Sequence, residues 1–323
     1  MNMEYVAKGV VHVPVRQDGP PARVVFLLLP RFSLLAFSAA HEVLRIANQL
    51  TARQLFEWQI LSVDGGPVAS SGGLIVQPTG TLDDLAPGAM VFVCGGVQPE
   101  SAVSRKVSDW LRRQWRSGEV VGGLCTGAYA LARAGLLAGR RFTLHWENIA
   151  PFRASHPGLE PVEQLYCMDG RIWTCAGGAA AADLFITMLR RRHGDRLADA
   201  VLSMSLHGHQ RAGEQFQRRP LPPSLRPGDR FTAVMSDIEA NLADITEVGD
   251  LAGRHGFSRR QVERLFRRHF SQSPREHLTA LRLQRARALM TETGLSRAEI
   301  AQSCGFSSSS QMMRAMRRST PQE

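Results

Sequence analysis

The sequence predicts an α/β sandwich followed by an all-α domain that carries two helix-turn-helix units. Three observations carry that expectation. Short all-apolar runs alternate with helical stretches through the first two thirds of the chain, the pattern of a mostly parallel sheet covered on both faces. One motif, aliphatic-Ala-x-x-x-Gly-Phe-Ser, occurs twice nearer the other end, at Leu251–Ser258 and Ile300–Ser307. Between the two regions, residues 213–228 (GEQFQRRPLPPSLRPG) hold four Pro and almost no apolar periodicity, which is the text of a semi-stiff linker. The expected organisation is therefore a loose tail over 1–22, a sandwich over 23–212, the linker over 213–228 and the helical domain over 229–323.

Composition bounds the function classes. A chain of 323 residues with 44% hydrophobic and 21% charged residues has material for a core in each of two domains. Its formal charge of +10 is concentrated at one end, where the stretch from Leu251 onward holds fourteen Arg against five acids. A basic footprint of that kind favours a polyanion partner for that end. Five Cys, at 94, 125, 167, 175 and 304, show neither a disulfide framework nor paired metal spacing, so no metal and no cofactor are expected and a reducing cytoplasm is the simplest setting. Cys94, Cys167, Cys175 and Cys304 read as structural. The first twenty residues lack the apolar core of a signal peptide, and no apolar run is long enough to span a bilayer.

Taken in order, Arg23–Pro30 is a buried-strand run ended by Pro, and a helix is expected from Ser33 to about Leu50. Phe56–Val63 reads as a strand, Asp64-Gly65-Gly66-Pro67 as a turn and Leu74–Gln77 as a further short strand. Ala89–Cys94 repeats the buried-strand signature and runs into Gly95-Gly96; Ser101–Ser117 reads as one amphipathic helix. Val120–Leu124 is a strand ending at Cys125, followed at once by a helix from Thr126 to Arg133. Arg141–His145 is expected as a strand, Trp146–Ser155 as a short helix, Leu165–Cys175 as a hairpin about Asp169-Gly170, and Ala179–His193 as a helix with another starting at Asp195.

Gly123-Leu124-Cys125-Thr126-Gly127 has the composition of a nucleophile elbow, a strand turning sharply into a helix with small residues where the backbone leaves no room. The helix N-terminus there is expected to lower the thiol pKa and to welcome an anion, with the N–H groups at Cys125, Thr126, Gly95 and Gly96 as its cradle. His145, Trp146 and Glu147 close a neighbouring strand; Trp146 could face a quaternary ammonium or guanidinium, with Glu147 or Glu42 supplying negative charge.

In the repeat, Gly is expected to take the left-handed conformation, Phe to fill the corner, and Ser258 or Ser307 to cap the helix that follows. That second helix should enter the major groove. Ser258, Arg259, Arg260, Gln261, Arg264 and Arg268 in the first unit, and Ser308, Ser309, Ser310, Gln311, Arg314 and Arg317 in the second, are the candidate DNA contacts. Arg and Gln can contact guanine and adenine bidentately. Ser273-Pro274-Arg275-Glu276 starts a connecting helix of about 25 Å, long enough to hold both units against one duplex.

Two helix-turn-helix units joined by SPREHLTALRLQRARALM resemble the DNA-binding domain of the AraC/XylS family over residues 229 to 318. GLCTGAYALARAGLL and FTLHWE resemble the DJ-1/PfpI branch of the class I glutamine amidotransferase-like fold, a flavodoxin-like sandwich, over residues 22 to 212. The fusion is similar to GlxA-like regulators, and FLLLPRFSLLAFSAAHEVLRIANQL and TCAGGAAAADL resemble regulators of arginine, carnitine and glycine betaine catabolism. The resemblance implies a bacterial transcriptional activator that senses a small-molecule effector, binds double-stranded DNA as a homodimer and engages RNA polymerase. Active DJ-1/PfpI members pair the elbow Cys with an acid from the first helix; the matching position here is Ala36. A Cys125-dependent hydrolase or glyoxalase-type enzyme stays open as an alternative, as does an architectural DNA binder without sequence preference.

Overall fold

The computed structural model describes residues 11–15, 19–83, 88–215, 217, 230–245 and 247–319. It divides into two compact units, Met1–Gln217 and Arg218–Glu323. Residues 1–10 and 16–18 of the expected tail and 216 and 218–228 of the expected linker lie outside the described residues. The tail is not loose throughout: Val13 is buried and its N–H donates to the Leu50 carbonyl.

The first unit is built on a six-stranded sheet in the order β2-β1-β5-β6-β8-β7. Its strands are β1 (Ala22–Leu28), β2 (Phe56–Leu61), β5 (Ala89–Cys94), β6 (Val121–Leu124), β7 (Tyr166–Asp169) and β8 (Ile172–Cys175), all parallel except the β7–β8 hairpin. Burial on both faces explains why β1 and β5 read as unbroken apolar runs. Val24, Phe26, Met90 and Phe92 pack on one side, in the layer formed by α1 (Leu34–Thr51), α6 (Ala180–His193) and α7 (Asp195–Met204). Val25, Leu27, Val91 and Val93 pack on the other, beneath α3 (Arg105–Arg116), α4 (Ala128–Arg133) and α5 (Ile149–Ser155). Among the described residues, no helix is long and apolar enough to cross a membrane.

Three local expectations are corrected. Arg141–His145 is not a strand: backbone N–H groups along it go to side chains rather than to a neighbouring strand, that of Arg141 to the Asp169 carboxylate at 2.8 Å. The Thr143 N–H donates to the Thr174 hydroxyl at 2.9 Å. The span Ser101–Ser117 is two helices, α2 (Pro99–Ala102) and α3, because Ser104 stands extended and caps α3 through the Val107 N–H. Val68–Ala69 forms an unforeseen strand, β3, antiparallel to β4 (Ile75–Val76); the hairpin hangs on the Arg31–Phe32 loop through Arg31 N–H to Ala69 O and Ser71 N–H to Phe32 O.

The second unit is helical: α8 (Arg230–Ala240), α9 (Val248–Arg254), α10 (Arg259–Phe270), α11 (Pro274–Glu292), α12 (Arg297–Ser303) and α13 (Ser309–Ser319). Phe231, Val234, Ile238, Leu251, Val262, Phe266 and Leu278 form the core of its first half. The 19 residues of α11 span about 28 Å and pack against α9 and α10 on one side and α12 and α13 on the other.

Candidate functional site

The chain moves from β1 to β2 on one side and returns to β5 on the other, so the carboxyl ends of β1 and β5 flank a topological switch point, where open α/β sheets bind ligands. Cys125 follows the next strand, β6, and has φ of 59°, the strained left-handed turn the glycines around it foretell. Three glycines around the elbow have room for hydrogen alone. A Cβ on Gly96 would lie 1.9 Å from the Arg31 carbonyl, one on Gly127 2.1 Å from the Val93 carbonyl, and one on Gly177 2.7 Å from the Cys125 Cβ.

The electrostatics overturn the expected activated thiol. Burial is the largest influence and, with Cys175 and Glu147 adding to it, pushes the Cys125 pKa up to about 12. Hydrogen bonds from the Thr126 N–H and the Ser33 side chain favour the thiolate but are outweighed. The helix that begins beside it has only six residues. The sequence marks Ser33 only as the start of α1; it caps that helix through the Ala36 N–H and reaches Cys125 from the position where an acid-bearing helix would begin. Gly95 and Cys125 also depart from their expected roles in the cradle, because their N–H groups donate to the Leu124 and Cys175 carbonyls and are not open to an anion. Thr126 is buried and its hydroxyl donates to the Gly96 carbonyl at 2.7 Å.

His145 is brought to the elbow by its backbone, whose N–H donates to the Cys125 carbonyl at 3.3 Å. Its imidazole lies 4.0 Å from the Glu147 carboxylate and 5.5 Å, centroid to centroid, from the half-buried Trp146 ring. Glu147 is the acid whose charge reaches Cys125; Glu42 is engaged by Arg45, one turn along α1, at 2.7 Å. Two polar residues escaped the sequence reading. Asp183 is fully buried in α6 and held by Arg211 and His207. Gln217 accepts from the Trp146 N–H at 2.7 Å. The Asp183 carboxylate inside an Ala-rich helix was a signal; nothing local marked Gln217.

In the second unit Gly256 and Gly305 have φ of 73° and 75°, and the Phe257 and Phe306 N–H groups donate to Ala252 and Ala301 at 3.0 and 2.9 Å. The two corners are the same structure. They are not continued identically, because the second helix is capped by Ser308 rather than Ser307. The corner therefore repeats at 49 residues while the helices repeat at 50, matching Gln261 with Gln311, Val262 with Met312, Arg264 with Arg314 and Arg267 with Arg317.

Ser258, Arg259, Arg260, Arg264, Arg268, Ser308, Ser310, Arg314 and Arg317 are exposed, and Ser309 is half-buried. Gln261 and Gln311 are exposed but not free-standing: each side-chain oxygen accepts from a backbone N–H before its helix, Ser258 at 2.8 Å and Ser307 at 2.9 Å. The bidentate adenine contact expected of them needs that oxygen released. Arg230 and Arg282 do structural work instead of reading bases. Arg230 donates to the His255 and Gly256 carbonyls and lies over the Phe257 ring, and Arg282 donates to the Leu242 and Ile245 carbonyls, tying α11 to the loop before α9.

Comparison with known proteins agrees with both units. Residues 22–191 match the DJ-1/PfpI family and residues 251–322 match a helix-turn-helix domain. The chain is 40% identical to the HTH-type transcriptional regulator CdhR of Pseudomonas aeruginosa, over 90% of this chain and 87% of that protein. It is 35% identical to the HTH-type transcriptional regulator GlxA of Rhizobium meliloti, over 92% of each. Among solved structures, an AraC family transcriptional regulator from Pseudomonas putida is 31% identical with a TM-score of 0.52, covering 57% of this chain and 100% of that one.

Proposed function

This chain belongs to the DJ-1/PfpI family, joined to an AraC-type helix-turn-helix domain, and from that premise we propose a ligand-responsive transcriptional activator whose first unit senses and whose second unit reads DNA. It is a helix-turn-helix transcriptional regulator. The observation that carries the reading is the matched pair of corners and helices, each presenting exposed Arg at the same helical positions. A helix N-terminus in the major groove directs Arg260 and Arg264, and in the second unit Ser310 and Arg314, at base edges, while Ser258, Arg259, Arg268 and Arg317 meet phosphates.

The effector is a small metabolite with a carboxylate end for the N–H groups of Thr126 and Gly96 and a cationic end for Trp146 and Glu147: a betaine, carnitine or a basic amino acid. Catalysis is disfavoured by a thiol held protonated and by Ala36 where an acid would stand. The working form is a cytoplasmic homodimer that recruits RNA polymerase. Exposed Leu35, Leu74, Ile75 and Val97 all lie around the Arg31–Phe32 loop, and such a grouping is a surface for a second copy.

Selection of duplexes from a random pool by the full chain tests the DNA reading. A dimeric, sequence-reading regulator yields two copies of one motif, and Arg264→Ala relaxes preference at one base pair by about 10- to 100-fold. Uniform weakening on every duplex would establish the architectural alternative. A thermal-shift screen of the full chain against glycine betaine, carnitine and arginine tests the effector; turnover lost in Cys125→Ala would instead support an enzyme.

A further inference from the structure

The chain leaves the first unit along a strap with two fastenings. After α7 it turns at Leu206, and the next residues close on Asp183. Arg211 donates its backbone N–H to Asp183 Oδ1 at 2.9 Å and its Nε to Oδ2 at 2.9 Å, and His207 Nε2 lies 3.1 Å from Oδ1. Gln210 donates to the Thr187 hydroxyl at 2.6 Å. A carboxylate with no solvent exposure, held by an arginine and a histidine, is a fixed anchor, since removing a partner would strand a buried charge.

The second fastening is lighter and sits at the ligand site. Gly213, Gln215 and Gln217 lie beside 163–166, receiving the Tyr166 N–H at Gly213 O (3.4 Å) and the Leu165 N–H at Gln215 O (2.9 Å). A Cβ on Gly213 would lie 2.8 Å from the Tyr166 carbonyl oxygen. The last described residue of the unit, Gln217, engages both ends of its amide: its oxygen accepts from the Trp146 backbone N–H, and its NH2 shares its two hydrogens among the Thr143 hydroxyl, the Leu144 carbonyl and the Gln164 carbonyl at 2.8 to 3.0 Å. It thus grips both neighbours of His145, whose own N–H is bonded to Cys125. The next residue, Arg218, opens the second unit.

We propose that Gln217 is the positioning residue through which occupancy of the Cys125–Trp146 site reaches the DNA-binding unit, by holding or releasing the Gly213, Gln215 and Gln217 contacts while Asp183 keeps Arg211 in place. A ligand that moves the 143–146 segment strips the amide of its partners. Release would add five residues to the length of chain between the last fastened residue and the second unit, a reach of up to about 17 Å per protomer, or about five base pairs of duplex at ~3.4 Å each. The switch rests on the effector reading above, but its parts are testable without any effector.

The experiment uses the full chain with Gln217→Ala, and Gln215→Ala as a control because that side chain is exposed and only its backbone takes part. Hydrogen exchange at the Leu165 and Tyr166 amides should rise about tenfold in Gln217→Ala, with the β6 and β8 amides unchanged, and duplexes selected from a random pool should tolerate half-site spacings up to about ten base pairs wider, about five from each protomer. Gln215→Ala should do neither. Unchanged exchange at Leu165 and Tyr166 would overturn the staple, and raised exchange with the wild-type spacing distribution would overturn its role in signalling. A wild-type chain that binds none of the screened metabolites would count against the effector reading while leaving these two results to stand or fall alone.

Discussion

Cys125 concentrates the chemistry of the first unit, and its fate is decided by burial. Its thiol, raised to about 12 against an ordinary 9.0, stays protonated at neutral pH, so iodoacetamide should label it slowly at pH 7.5 in the native chain and rapidly after unfolding. Peptide-resolved mass spectrometry reads both rates; fast native labelling would mean an activated thiol and would reopen the enzyme reading. Cys167 and Cys175, each raised by burial to about 11, act in the same direction. The unfolded chain ionises these thiols first, so the stability they contribute is fully present below pH 9 and is lost as pH rises through 11 to 12. Thermal melts across that window should show the loss. The elbow was legible because strained backbone demands glycine at fixed positions. Ser33 was not, because its approach to Cys125 crosses from another strand's end and leaves no mark in local spacing.

At the level of elements, the turn chemistry of the second unit and the starts of α10 at Ser258 and α11 at Ser273 were legible, and the start of α13 was not. Gly256 and Gly305 take left-handed φ because a helix must end there and turn. Four serines in a row, Ser307 to Ser310, give the chain several possible caps, and packing of Met312 into the core selects Ser308. Ser308→Ala should cost about 1 kcal/mol in the stability of the second unit, measured by denaturant unfolding; an unchanged midpoint would mean that Ser307 serves as the cap after all. The broken α2–α3 helix has the same origin, a Ser whose hydroxyl offers the backbone an alternative to continuing. The false strand at Arg141–His145 has a different one: side chains of β7 and β8, Asp169 and Thr174, take backbone N–H groups that a ladder would need, and their placement is tertiary.

Across the whole molecule, the charge excess of the second unit sets how it meets DNA. Fourteen Arg against five acids from Leu251 onward predict affinity that falls steeply with salt. Replacing Arg268, which we propose meets a phosphate, by Ala should lower the slope of log affinity against log salt by about 1 while weakening all duplexes alike. An unchanged slope would place Arg268 away from the phosphates. By itself the sequence determined the two-unit plan, the elbow and the doubled corner, because each depends on residues adjacent in the chain: apolar period, glycine at strained turns, a capping hydroxyl. Only the tertiary structure decided that Ser33 rather than an acid reaches Cys125, that Asp183 is buried under Arg211, and that Gln217 closes on Trp146. Those contacts join residues from 28 to more than 90 positions apart, and no short-range pattern encodes which distant side chain a folded backbone will bring within hydrogen-bonding reach.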